Sequence, residues 1–221
     1  MKLIKFGLLG ILLFGFQTHA PAQEKGAVTI VNGIITKWRS IQDYQCLMRS
    51  KNRLGELTDS KKLKFSYKKS KQVRVEVLDG EKKGSVLTRD ANGTIKAKKG
   101  GLLGVIALTL DEDDERIRNL RGRKFYHATW GAVIKEFHSA VEKQRNVQRL
   151  PDEEFNKHDC YVLSIEGGDP KDRITKDMIT IDKESDLILR RKQYEGDTLV
   201  NEVVWWEIEL DLGLPDSLFT L

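Results

Sequence analysis

The chain has 221 residues, 32% of them charged and 39% hydrophobic, with a formal charge of +5 and two cysteines. That length suits one domain with its own core, so no disulfide framework is needed to hold it. The two signs of charge are interspersed and no basic stripe carries interleaved aromatics, which speaks against nucleic acid as a partner.

Residues 1–22 have the layout of a secretory signal: Lys2 and Lys5, the apolar run Phe6 to Phe16, then the small residues Ala20-Pro21-Ala22. The run is shorter than the roughly 20 residues that span a bilayer. The expectation is cleavage near Ala22, export to the periplasm, and a single domain over 23–221. Loss of Lys2 and Lys5 would lower the formal charge from +5 to +3.

Ile30, Ile34, Trp38 and Ile41 recur at helical spacing, widened by Val31 and Ile35, and predict an amphipathic helix over Val28–Ile41. A strand follows at Tyr44–Arg49, then a turn at Arg53–Glu56. Leu63, Phe65 and Tyr67 alternate with Lys62, Lys64, Ser66 and Lys68, and Val73, Val75 and Val77 give the partner strand. Ser85–Arg89 and Thr94–Lys98 form a hairpin around Ala91-Asn92-Gly93. From Leu102 to Leu110 nearly every position is apolar, and helix and strand both remain open.

Four acids, Asp111 to Asp114, lead into a short helix at Glu115–Leu120, whose start favours negative charge. A second amphipathic helix runs Trp130–Val147 with Thr129 as N-cap, and Leu150-Pro151-Asp152 ends the helical region. The sheet resumes at Cys160–Ile165, and Gly167–Asp172 is a loop. Asp177–Leu210 then reads as three or four antiparallel strands with turns at Asp182–Asp186 and Glu195–Asp197. The last of these strands is apolar on both faces, so it belongs in the middle of the sheet. Gly213-Leu214-Pro215-Asp216 breaks it, and Leu218 and Phe219 tuck back.

Chemistry is sparse. No metal-binding or phosphate-cradling motif occurs, and neither a catalytic residue, a metal nor a cofactor is expected. His138 and Glu142 share a helix face without a third ligand. His158 and Cys160 share a strand face, while Asp159 points away, which departs from a nucleophile held by a base and its orienter. Cys46 and Cys160 are a disulfide pair or two buried thiols. The aromatic and apolar residues are each read most simply as core, but together they allow a curved sheet wider than two helices can cover, with a cavity for an apolar guest.

The order of elements and the closing residues Ile181-Asp182, Gly196, Gly213-Leu214-Pro215-Asp216 and Phe219 resemble the lipoprotein-carrier superfamily (LolA/LolB-like), in particular its exported members of unassigned function. Gly55, the Phe65–Lys69 strand end and Asn92-Gly93 fall where that family has a turn glycine, a basic strand end and a hairpin. The resemblance implies an α+β fold, a curved antiparallel sheet or incomplete β-barrel wrapped around a few helices. It implies a lipid or lipidated protein as partner, with envelope membrane proteins as further partners, and a monomer. Trp38, Phe65, Val73, Val75, Ile181 and Trp205 would line the acyl cavity. Ile34, on the lid helix, and Lys69 would form lid and latch, Lys69-Ser70 standing where the carriers have Arg-Pro. The segment Gly100–Val147 is longer than in the carriers. An interaction module with regulatory or scaffolding use of the same fold is the alternative, and a hydrolase a more distant one.

Overall fold

The computed structural model describes residues 25–101, 106–167 and 173–221. The expected signal segment, the first part of the Leu102–Leu110 run and most of the Gly167–Asp172 loop lie outside them. Eleven strands form one antiparallel sheet: β1 (Asp43–Leu54), β2 (Leu57–Lys68), β3 (Gln72–Asp79), β4 (Val86–Arg89), β5 (Ile95–Lys98), β6 (Ala107–Leu110), β7 (Val147–Phe155), β8 (His158–Glu166), β9 (Lys176–Asp182), β10 (Ile188–Glu195) and β11 (Thr198–Leu210). Their spatial order is β6-β5-β4-β3-β2-β1-β11-β10-β9-β8-β7. Two meanders therefore meet where the first strand pairs with the last, from Tyr44↔Leu210 to Asn52↔Asn201. β11 sits inside the sheet, as its two apolar faces require.

The helices α1 (Ala27–Ser40) and α2 (Trp130–Glu142) lie on the concave face. α2 starts where Thr129 can cap it, the hydroxyl accepting from Ala132 N at 3.3 Å. Lys37 and Arg39 occupy the last turn of α1, where the carbonyl end of the helix favours cations. Gly131 lets the two helices close: a Cβ there would stand 2.6 Å from the Trp38 ring. The inward residues of the strands, such as Tyr44, Phe65, Val73, Leu163, Ile179, Ile181 and Trp205, pack with Ile30, Ile34, Trp130 and Phe137 into one core.

The C-terminal segment covers part of the convex face. The Asp43 carboxylate accepts from Leu212 N at 2.8 Å and Leu214 N at 3.0 Å. Lys68 Nζ donates to Leu214 O, Arg74 donates to Leu218 O, and Phe219 is fully buried.

Two expectations change, and one alternative left open is decided. The second helix stops at Glu142, and Val147–Phe155 is the edge strand β7, where Pro151 is tolerated because one side of an edge strand needs no donor. The β1–β2 hairpin is longer than the Tyr44–Arg49 and Leu63–Tyr67 runs, reaching Leu54↔Leu57 around Gly55 at φ +59°. Of the two alternatives for the cysteines, a disulfide or two buried thiols, the structure has the thiols: both are free and buried. Cys46 faces the concave core, whereas Cys160 belongs with Val162 and Ser164 on the opposite face. Three strands, β11, β10 and β9, stand between their strands. That puts them on the order of 15–20 Å apart, while a bridge needs about 4.4–6.8 Å between Cα atoms.

Candidate functional site

The helices fill only one end of the trough. On β1, Tyr44 and Cys46 lie under helix side chains, but Met48, Ser50 and Asn52 face open space. On β2 the change comes between Phe65 and Leu63, and on β3 between Val73 and Val75. Beyond that line lies a cavity of about 780 Å³. The apolar part of its wall includes Met48, Leu63, Val75, Val77, Val203 and Trp205 from the sheet. Its outer wall is the segment 115–128, two short 3-10 turns at Glu115–Ile117 and Phe125–Ala128, with Val133 of α2.

That outer wall is anchored at both ends. Ile117 packs with Ile95 and Leu110, with Phe125 and Tyr126 against them, and Arg89 lies 5.1 Å from the centre of the Tyr126 ring. Toward the hairpin end of β1 and β2, Asn119 donates to Asn52 Oδ1 at 2.9 Å, and Asn201 donates to the same oxygen at 2.8 Å. Asp114 caps its own turn by accepting from Arg116 N at 2.8 Å. The hydrogen bonds from the Arg116 side chain and backbone hold the Asp114 carboxyl down at about 2.

The cavity is greasy in the middle and polar at its ends. Arg191 borders it, 4% exposed, gripped by Asp177 and by Glu136 of α2, with Gln193 donating to Asp177 at 2.9 Å. Burial alone would lower the Arg191 pKa, but the two carboxylates outweigh it and raise it above the ordinary value. Trp205 leaves its buried indole Nε1 without a protein acceptor. Asp59, bonded to Lys61 at 3.1 Å, leaves Oδ1 unpaired and buried. His127, also on the wall, is held below the usual histidine pKa by burial and by the Lys124 and Arg123 charges.

Of the residues expected to line a cavity, Val75 and Trp205 are on its wall. Phe65, Val73 and Ile181 are buried on the same concave face but under the helices. Trp38 lies between Tyr44 and Tyr67, ring centres 6.4 and 5.2 Å away, on the filled side of the trough. Ile34 is buried in α1. Lys69 Nζ donates to Arg39 O at 2.7 Å, joining the end of β2 to the end of α1. Sequence reasoning missed the polar inward positions Ser50, Asn52, Asp59, Lys61 and Asn201. Their signal was present: they keep the inward register of Met48, Leu63 and Val203, yet are polar where a filled core would demand apolar groups.

No protein-family model matches the sequence, and a search of curated proteins finds no match. Solved structures do share the fold. An uncharacterized conserved protein from Thermus thermophilus is 9% identical, with a TM-score of 0.53 over 86% of this chain and 92% of its own. MucB is 13% identical, with a TM-score of 0.51 over 88% of this chain and 62% of its own, so the chain spans under two thirds of MucB. A LolA superfamily protein from Nitrosomonas europaea is 13% identical, covering 86% of this chain and 97% of its own at a TM-score of 0.40. The open antiparallel sheet with helices in its trough is the fold shared with the Thermus thermophilus protein and with MucB.

Proposed function

We propose, taking the resemblance to the lipoprotein-carrier superfamily as premise, that this chain binds or carries the acyl chain of a lipid or lipidated protein in its half-filled trough. The supporting observation is the cavity of about 780 Å³, apolar in its middle, on the concave face beyond the helices. Its size falls within the roughly 300–1,000 Å³ of small-molecule sites. The reading includes the periplasm as the place of action, export by residues 1–22, and a monomer that meets envelope proteins when it collects or delivers its cargo.

The energetics suit a carrier. Burying about ten methylenes yields roughly 8 kcal/mol, against an association cost of at least about 4 kcal/mol. The remainder, at most about 4 kcal/mol, corresponds to a dissociation constant of about 1 mM or weaker. A bare chain of that length is held loosely and exchanges readily.

Titration of the full-length protein with a fluorescent fatty acid tests the reading, with native mass spectrometry to count bound ligands. One saturable site is expected, and Val77→Trp, which fills the cavity from β3, should weaken binding about tenfold or more without unfolding the protein. Absence of saturable binding, or binding indifferent to Val77→Trp, would sink the proposal. Stoichiometric co-purification of an envelope protein with an empty cavity would favour the regulatory alternative.

A further inference from the structure

The mouth of the cavity carries a charge pattern that the apolar middle does not explain. The sequence contains the tripeptide Lys-Lys-Gly twice, at Lys82-Lys83-Gly84 and Lys98-Lys99-Gly100. The two copies meet in the fold. Val86↔Lys98 closes the β4–β5 pairing, and just beyond it the chains cross glycine on glycine. A Cβ on Gly100 would stand 2.4 Å from Lys83 O and 2.7 Å from Gly84 Cα. No other residue permits that approach, so the crossing brings the two Lys-Lys pairs together beside the cavity.

All four lysines border the cavity and are exposed. None has an acidic partner among the described residues. Other cations on this wall differ: Arg116 pairs with Asp114, Arg118 with Asp113, Lys124 with Glu112, Lys61 with Asp59, and Arg191 with Asp177 and Glu136. Asp59 is the one carboxylate residue on the described wall. Four lysines without an acidic partner beside an apolar opening are complementary to a ligand whose tail is greasy and whose head is negative.

We infer that the site takes an amphiphile with an anionic head group, carboxylate or phosphate, the acyl chain lying against Leu63, Val75, Val77 and Trp205 and the head held by Lys82, Lys83, Lys98 and Lys99. This rests on the acyl-binding reading above and adds the head-group chemistry to it. It also supplies affinity that a bare short chain lacks.

The test is calorimetric titration of the full-length protein with three single-chain lipids sharing one acyl group: lysophosphatidylglycerol, lysophosphatidylcholine and monoacylglycerol. Inorganic phosphate serves as the headless control. The anionic lipid should bind about tenfold tighter than the neutral one at low ionic strength, an advantage that shrinks in high salt. Changing the four lysines to Gln should abolish the preference while leaving monoacylglycerol affinity unchanged. The pairs Lys82→Gln with Lys83→Gln, and Lys98→Gln with Lys99→Gln, serve as milder variants, each removing part of the advantage. Equal affinity for the anionic and neutral lipids, or a uniform loss for all lipids in the variants, overturns the head-group inference alone. Saturable binding of inorganic phosphate as tight as the anionic lipid overturns it in favour of a free-anion site. Failure of every lipid to bind overturns it together with the acyl-chain reading.

Discussion

Burial decides the chemistry of the two thiols. Cys46 is 3% exposed, and burial pushes its pKa well above the usual thiol range; Cys160 is fully buried, and burial together with the Asp182 and Glu153 charges pushes it up to about 11. A thiol that ionises only at such alkalinity is a poor nucleophile at neutral pH, so the His158–Cys160 region is not poised for covalent chemistry. Native protein at pH 8 should leave both thiols unlabelled by a disulfide reagent, and denatured protein should expose both. Fast labelling in the native state contradicts the packing. The stability consequence has a definite sign. Because the folded thiols and Tyr44 all have raised pKa values, their contribution is intact below the unfolded thiol value of about 8.5. It is lost as pH rises toward the folded values, so the denaturation midpoint should fall on the alkaline side.

Between the helices, the contact of α1 with α2 makes a tight geometric demand. Gly131→Ala would gain about 1 kcal/mol of helix propensity. It would also drive a methyl group to 2.6 Å from the Trp38 ring, itself wedged against Tyr44 and Tyr67. Overpacking of this kind costs about 1–3 kcal/mol, so the net change should be destabilising, read as a lower urea midpoint. An increase would mean that α1 shifts freely on the sheet. The two helices themselves were legible in sequence to within a residue at three of their four ends, because their apolar stripes are unbroken. The end of α2 and the strand β7 were not. Val147–Phe155 is an edge strand with polar residues and Pro151, so neither periodicity nor composition marks it. The same physics hid the far half of the β1–β2 hairpin, where inward positions are Ser50, Asn52, Asp59 and Lys61 because they border a cavity rather than a core. The sequence therefore showed which face is concave, but not where along the strands the helices stop.

At the scale of the whole molecule, the sheet is joined through its middle by residues from the two ends of the described chain. Tyr44 pairs with Leu210 and Asn52 with Asn201, with both meanders and α2 between them in sequence. The loop-closure entropy of that seam falls due before its contacts return anything, so folding should be slow for the size of the domain. A chain truncated before Thr198 loses the strand that joins β1 to β10 and should show no cooperative unfolding transition; a sharp transition in that fragment would mean that either meander stands alone. Synthesis and folding are thus uncoupled in time. Until β11 has emerged, the polypeptide stays in a threadable state, and that strand acts as the zip that closes the sheet.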